Sequence, residues 1–255
     1  MKGLNRQVFM RSFFLETLWN YENMQSIGFL FCLYPVLKRL YPEREEFRSA
    51  VSRQLKRVNT HPAMGPLLAG ITARLEWEME PSDVMVYRKR AMTALAGLGD
   101  HIFWARLKPL AAVCGVVLSL VFLGSMIGSA AALAVYNVPN FLARFLGFSK
   151  GWSDGLDFFR NLGSVRMDVF IPRLREATAA GLGVAAGMLT AYAMKSPEPA
   201  GQHTSGPAVG IALLLLSGIG AVLLKKNFSM IVVVYVLGLA AVLTFVLMET
   251  GILFR

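Results

Sequence analysis

The stretch Leu95–Pro109, LAGLGDHIFWARLKP, lies where a charged N-terminal half of the chain meets an apolar C-terminal half. Gly97 and Gly99 flank a single residue, which permits a tight bend or a close approach of the backbone to a neighbouring group. Pro109 suits the first turn of a helix, because an N–H group at that position has no helical partner. The stretch therefore predicts a hinge at which the chain enters a membrane.

Polar side chains in this stretch stand beside large apolar ones. Asp100 and His101 come directly before Ile102-Phe103-Trp104, and Arg106 and Lys108 follow. This pattern makes the stretch a candidate site. A simple bend, followed by basic residues that precede a membrane helix, would account for the same pattern. The sequence by itself leaves both interpretations open.

The composition indicates an all-α integral membrane protein. The chain has 255 residues, of which 55% are hydrophobic, and its mean hydropathy is +0.50. Residues 1–109 hold 16 of the 26 Lys and Arg residues and 10 of the 16 Asp and Glu residues. Apolar runs beyond residue 109 are long enough to cross a hydrocarbon core, which takes about 20 residues. The sequence therefore divides into two regions. Residues 1–109 are expected to form cytoplasmic or interfacial helices, and residues 110–255 are expected to form a membrane region.

The net charge of +10 does not indicate a nucleic-acid partner. The basic residues lie before and between apolar runs, as in cytoplasmic loops of membrane proteins, and aromatic residues do not interleave with them. Cys32 and Cys114 lie in apolar surroundings and are expected to be buried and unpaired. The first residues lack the apolar core and cleavage site of a signal peptide, so we expect the N-terminus in the cytoplasm.

The N-terminal region predicts a series of helices with polar breaks. An amphipathic helix suited to a membrane surface or a partner is expected first, followed by a short apolar segment that contains Pro35. The turn Asn59-Thr60-His61-Pro62 breaks the chain, because the residue before proline avoids the α region. The predicted segments are Gln7–Gly28 (amphipathic), Ile27–Leu37 (apolar), Lys38–Lys56 (charged), Pro62–Glu80 and Asp83–Met92.

Enzymatic machinery is not evident in the sequence. Phosphate-binding loops, metal-ligand spacings and hydrolase motifs do not occur. His61, His101 and His203 are isolated from one another, so structural roles are expected for them. Glu76 belongs to an acidic run at a predicted helix end, where we expect solvated carboxylates. Few polar residues lie inside the apolar half, which suggests that a partner subunit holds any transported solute.

Residues 110–138 are apolar and flanked by basic segments on both sides. The segment 139–175 carries six Lys and Arg residues. A re-entrant hairpin keeps both flanks in the cytoplasm and is the favoured interpretation, provided that protein shields its tip. A single tilted span is the alternative.

Three further apolar segments predict about three transmembrane helices, at 176–194, 207–224 and 229–254. Gly183 and Gly187 form a G-x-x-x-G pair, which favours close helix packing in lipid. The basic residues place 195–206 outside and Lys225-Lys226 in the cytoplasm. The chain is therefore expected to be multi-pass.

Several blocks resemble the IID component of mannose/fructose/sorbose-family phosphotransferase systems. They are RSFFLETLWNYENMQSIGF (Arg11–Phe29), LKRLYPE (Leu37–Glu43), Asn59–Pro62 and LAGLGDHIFW (Leu95–Trp104). Their order and spacing also resemble the family, over essentially the whole chain. The resemblance supplies structural or partner-interface candidates, none of them catalytic or metal-binding: Trp19, Asn20, Tyr21, Glu22, Asn59, Thr60, His61, Pro62, Gly97, Gly99, Asp100, His101 and Trp104.

The resemblance implies a membrane permease subunit of a phosphoenolpyruvate-dependent sugar transport system in the bacterial inner membrane. Such a subunit pairs with IIC as a trimer of IIC–IID heterodimers, and IIC mainly holds the hexose-type sugar. Phosphorylated IIB docks transiently and phosphorylates the sugar. The family implies that IID itself carries no phosphorylated residue and needs no cofactor.

The sequence departs from the family pattern at two places near the central stretch. Thr93-Ala94 stands where relatives generally read Gly-Pro, and His101 stands where they generally have a small residue. The loop 195–206 is also shorter than in typical relatives. A divergent, non-transporting paralogue that acts as a membrane scaffold or regulatory protein is therefore the alternative.

Overall fold

The computed structural model describes residues 3–122, 126–162 and 167–195, together with Ile219 and Val222. Over these residues the chain is helical, with loops and two isolated β-bridges. The helices are α1 (Leu4–Arg11), a 3₁₀ turn (Ser12–Phe14), α2 (Ser26–Leu40), α3 (Arg44–Gln54), α4 (Gly65–Glu78), α5 (Pro81–Gly99), a π-helix (Asp100–Leu107), α6 (Lys108–Val121), α7 (Ile127–Asp154), α8 (Asp157–Leu162) and α9 (Met167–Lys195).

The described residues form two compact units. The first comprises the described residues within 1–109 and 133–174, and the second comprises those within 110–132 and 175–255. The first unit is built from two separate segments of the chain, and Phe148 from the second segment lies in the same buried core as the residues of the first.

Helix α4 is the central element of the first unit. Eleven of its fourteen residues are buried, which is typical of a helix that is apolar on all sides. Glycines allow α4 to contact the first-unit part of α7 closely: a Cβ atom at Gly70 would lie 2.8 Å from the carbonyl oxygen of Phe148, and one at Gly151 would lie 2.5 Å from that of Leu67. We call this contact the glycine seam. Any larger residue at these positions would separate the two helices.

The predicted amphipathic helix over Gln7–Gly28 is wrong as one element. Helix α1 ends at Arg11, a 3₁₀ turn follows, and α2 begins at Ser26. Asn20 stabilises the turn that precedes α2, because its side-chain oxygen accepts the N–H of Asn23 at 2.8 Å and its backbone pairs with Met24. Asparagine side chains compete in this way with helical hydrogen bonds.

The hinge predicted at Gly97 and Gly99 is also wrong. One continuous helix runs from Pro81 to Val121, and Gly99 has helical dihedral angles. Instead of bending, the helix widens into the π-helix Asp100–Leu107, in which each N–H bonds to the carbonyl five residues earlier. Among the described helices, Pro81–Val121 alone meets the length and hydropathy that a membrane span requires.

The second unit contains a close contact between the residues of α6 and those at the start of α7. A Cβ atom at Gly115 would lie 2.9 Å from the Cβ of Ala132 and 3.1 Å from the carbonyl oxygen of Gly128. The predicted segment 110–138 thus contains the end of one helix at Val121 and the start of another at Ile127. Its re-entrant insertion stays a prediction, as does the division at residue 109.

Helix α9 contains the predicted span 176–194. Within it, Gly181 contacts Val113, whereas no described atom lies within 4 Å of a Cβ built at Gly183 or Gly187. The role of the G-x-x-x-G pair stays a prediction. The predicted spans 207–224 and 229–254 lie outside the described residues, except for Ile219 and Val222.

Candidate functional site

The turn Asn59–Pro62 and the turn that contains Trp19–Glu22 are joined by backbone and side-chain hydrogen bonds. Gln25 connects them: its side-chain oxygen accepts the N–H of Thr60 at 2.8 Å, and its Nε2 donates to the carbonyl of Thr60 at 2.7 Å. The backbone N–H of Gln25 also donates to the carbonyl of Val58 at 2.9 Å. The structure thus brings together two blocks that lie far apart in the sequence.

We call the bonded turns, Asn59–Pro62 and the turn that contains Trp19–Glu22, the junction. His61 lies in its interior, with only 2% of its surface exposed. Its Nδ1 accepts the backbone N–H of Ala63 at 3.1 Å, so in the neutral ring the proton is on Nε2. No described group accepts a hydrogen bond from Nε2. Burial, assisted by the Arg144 charge, lowers the pKa of His61 to about 4. The imidazole is therefore neutral at physiological pH.

The π-helix packs on this imidazole. The ring of Phe103 stacks on His61 with centroids 5.0 Å apart, and Trp104 meets His61 edge-on at 5.1 Å. Gly99 lies at the closest point, because a Cβ atom there would lie 2.8 Å from Cγ of His61. Instead of a bend, the structure shows a close approach of the Gly99 backbone to the side chains of His61 and Met64.

Two charged residues beside the junction were not found from the sequence. Glu16 accepts a hydrogen bond from Nε2 of Gln25 at 2.6 Å, and burial raises the pKa of Glu16. Arg144, from α7, is close enough to Glu16 and His61 to affect both electrostatically, and its Nε donates to Asn140. Arg144 is remote in sequence, and no local pattern marks it.

The other predicted residues lie at the surface of the first unit. Trp19 and Tyr21 pack edge-on at 4.8 Å and are 42% and 88% exposed, and Trp104 is 54% exposed. The exposed residues Glu22, Asn59, Gly97, Asp100 and His101 and the half-buried residues Asn20 and Pro62 complete the set. Asp100 has no hydrogen bond or ion pair with a described residue, so an anchor role within this chain has no structural support. Exposed tryptophan side chains are suited to contact with another protein or with lipid.

The expectation that Glu76 is solvated is wrong. Its carboxylate is fully buried and accepts hydrogen bonds from Tyr41, Arg53 and Gln54, the first at 2.7 Å. Arg88 donates in turn to the side-chain oxygen of Gln54. Burial, together with the Glu76 carboxylate, raises the pKa of Tyr41 to about 12. We call these five residues the Glu76 network; it ties α3, α4 and α5 together.

The arrangement is not suited to covalent or metal chemistry in the part of the chain that the structure describes. No three His, Cys, Asp or Glu side chains converge there as metal ligands. Thr60 has a buried hydroxyl without a described partner, but the neighbouring imidazole has its basic nitrogen occupied by a backbone N–H and cannot activate it.

A family model for the mannose/fructose/sorbose-family IID component of the phosphotransferase system (PTS) matches residues 2–253. The chain belongs to that family. This IID chain is 32% identical over 195 residues to the mannose-specific EIID component of Escherichia coli K12, an alignment that covers 73% of this chain and 67% of the relative. It is 28% identical over 192 residues to the fructose permease IID component of Bacillus subtilis 168, covering 72% and 68% of the two chains.

Solved structures resemble this IID chain over nearly its whole length. One, described only as a membrane protein, has a TM-score of 0.63 and 26% identity and covers 98% of this chain and 96% of its own. Another is the mannose transporter ManYZ in complex with microcin E492, with a TM-score of 0.57, 26% identity and the same coverage. The all-helical membrane fold and the family predicted from the sequence are confirmed.

Proposed function

We propose that this IID chain pairs with a IIC subunit to form the membrane permease of a phosphoenolpyruvate-dependent sugar phosphotransferase system. The permease translocates a hexose-type sugar, held mainly by IIC, and phosphorylated IIB docks transiently to phosphorylate it. The family match over residues 2–253 carries this proposal. The likeness to a mannose transporter structure supports it.

In this proposal the IID chain is a non-catalytic subunit of a multi-pass complex in the bacterial inner membrane, with its N-terminus in the cytoplasm. The neutral, hydrogen-bonded state of His61 supports this, because a phosphoacceptor histidine needs a free basic nitrogen. The trimer of IIC–IID heterodimers is part of the same proposal. The exposed face of Trp104 and Asp100 is the surface that we assign to the partner.

The test is a pull-down of the tagged full-length chain from its native membrane in mild detergent, with the partners identified and quantified by mass. We expect a IIC-type chain in equal amount. Uptake of labelled sugars in cells that lack the chain, with and without the wild-type copy, then identifies the substrate. Recovery of the chain alone, or with unrelated proteins, would overturn the proposal and favour the scaffold alternative.

A matched pair of variants tests the assigned surface. Trp104 and Trp77 are both exposed tryptophans, at 54% and 40%, in the first unit. A tryptophan at an interface centre contributes about 2 kcal/mol or more, so Trp104→Ala should weaken IIC binding roughly 30-fold or more. Trp77→Ala should leave binding unchanged. Equal effects of the two substitutions on IIC binding would show that Trp104 does not lie in the interface.

A further inference from the structure

A basic groove lies between α1 and α2 in the first unit. Its volume is about 380 Å³, and it is lined by Leu4, Gln7, Arg11, Tyr34, Pro35, Lys38 and Arg39. None of the three cations forms an ion pair with a described carboxylate. Three unpaired cations around one groove create a positive potential that favours an anion.

Pro35 explains why one of these cations is fixed in position. Proline has no N–H, so the carbonyl of Phe31, four residues earlier in α2, loses its helical donor. Nη1 of Arg11 donates to that carbonyl at 3.2 Å, and the guanidinium lies 4.5 Å from the centroid of the Phe31 ring. This is the only hydrogen bond of the Arg11 side chain within the described residues, which leaves most of its five N–H groups available. A cation held in place beforehand loses little entropy when it binds a phosphate.

The surface beside the groove is apolar and exposed. Ile27, Phe31 and Tyr34 follow one another at helical spacing along α2 and are 40%, 43% and 39% exposed. The next residue on the same face is Lys38. This face of α2 therefore changes from apolar to cationic along its length. On α1 and the following turn, Met10 and Phe14 are also more than half exposed.

We infer that this groove binds the phosphate of an anionic phospholipid, with the apolar face of α2 against the acyl chains. The charge fits the headgroup, and the apolar face fits the hydrocarbon beside it, as for helices that lie in a membrane interface. A soluble phosphate would use the three cations but not the exposed aromatic rings. The inference does not depend on whether the chain transports sugar.

The experiment is native mass spectrometry of the full-length chain in detergent, titrated separately with three probes. The probes are a short-chain phosphatidylglycerol, the matching phosphatidylcholine and inorganic phosphate. We expect saturable binding of phosphatidylglycerol that is at least tenfold tighter than that of the other two. Equal binding of inorganic phosphate would overturn the lipid assignment in favour of a soluble anion, and equal binding of phosphatidylcholine would overturn the role of charge.

The double variant Lys38→Gln/Arg39→Gln removes two cations and keeps the Arg11 contact. A basic residue near an anionic surface strengthens binding about fivefold, so this variant should bind phosphatidylglycerol roughly 30-fold more weakly. Arg57→Gln/Lys89→Gln is the matched control, because both residues are exposed and lie outside the groove. Equal losses in the two variants would show unspecific attraction and overturn the site. If Lys38→Gln/Arg39→Gln instead loses a protein partner while its lipid binding is unchanged, a protein covers the groove. That result would also overturn the assignment.

Discussion

The substitution Glu76→Gln tests the Glu76 network. In the wild type, Nη2 of Arg53 donates to both carboxylate oxygens, at 2.8 and 3.2 Å, and the carboxylate is fully buried. The amide keeps the shape but removes the charge that compensates this guanidinium. It also turns one acceptor into a donor that faces other donors.

The expected loss follows from the burial of the pair. Removing one partner of a buried, hydrogen-bonded ion pair costs about 3–5 kcal/mol, because the other charge is left uncompensated. For a chain of this size, 1 kcal/mol shifts Tm by about 2–4 °C, so the expected fall is roughly 6–20 °C. The Arg74–Glu78 pair lies on the same helix, but its side chains are 38% and 45% exposed. Glu78→Gln should therefore cost less than about 1 kcal/mol.

The assay is thermal unfolding of the full-length chain in one detergent at a fixed scan rate, followed by tryptophan fluorescence. A double-mutant cycle with Arg53→Gln measures the coupling between the two side chains. We expect the double variant to be more stable than the sum of the single losses predicts. If Glu76→Gln costs no more than Glu78→Gln, or if the cycle shows no coupling, the network does not stabilise the fold.

Four further substitutions, one of them with a matched control, test the junction and the surface assigned to the partner. Gly99→Ala should destabilise the chain by about 1–3 kcal/mol through overlap with the His61 side chain, whereas Gly97→Ala, with no atom within 4 Å, should be neutral or stabilising in thermal unfolding. Burial lowers the pKa of folded His61 to about 4, below the ~6.5 of an unfolded histidine. The unfolded chain therefore binds more protons between these pH values, and stability falls as pH drops from about 6.5 to 4. His61→Asn should reduce that fall in pH-dependent unfolding while keeping an acceptor for the backbone N–H. Asn20→Ala should cost about 1 kcal/mol in the same assay, because a backbone N–H loses its side-chain acceptor. Asp100→Ala should reduce IIC recovery in the pull-down without changing Tm, because no described group pairs with this exposed carboxylate.

Specific results would contradict each of these expectations. Equal effects of the two glycine substitutions on stability would show that Gly99 makes no close contact with His61. An unchanged acid profile in His61→Asn would show that another group controls stability below pH 6.5. Unchanged stability of Asn20→Ala would show that the turn does not depend on the Asn20 side-chain acceptor. Unchanged IIC recovery with Asp100→Ala would exclude this carboxylate from the interface.

The sequence predicted the fold class and the family, and among the described residues it predicted several of the helices, because these depend on composition, periodicity and local motifs. Helix α3 (Arg44–Gln54), for example, lies within the predicted charged segment Lys38–Lys56. The sequence also singled out Asn59–Pro62 and Gly99, and the structure places the two in contact.

Side-chain partners from distant segments could not be predicted. Glu76 looked like part of a solvated helix end, because the pattern of α4 does not show that Tyr41 and Arg53 face it from other elements. Gln25 binds Thr60 across 35 residues of sequence, and Arg144 comes from beyond an apolar segment. The π-helix was missed because no residue pattern distinguishes it from an α-helix in advance.

The two-segment construction of the first unit has a consequence for biosynthesis. Helix α4 leaves the ribosome well before α7, and at about 5–20 residues per second the chain from Glu78 to Asp154 takes roughly 4–15 s. During that interval the α4 side of the glycine seam has no α7 to cover it. The apolar surface of α4 thus stays exposed on the nascent chain until α7 has been synthesised. Slower translation between these helices should increase its dependence on chaperones or insertion factors.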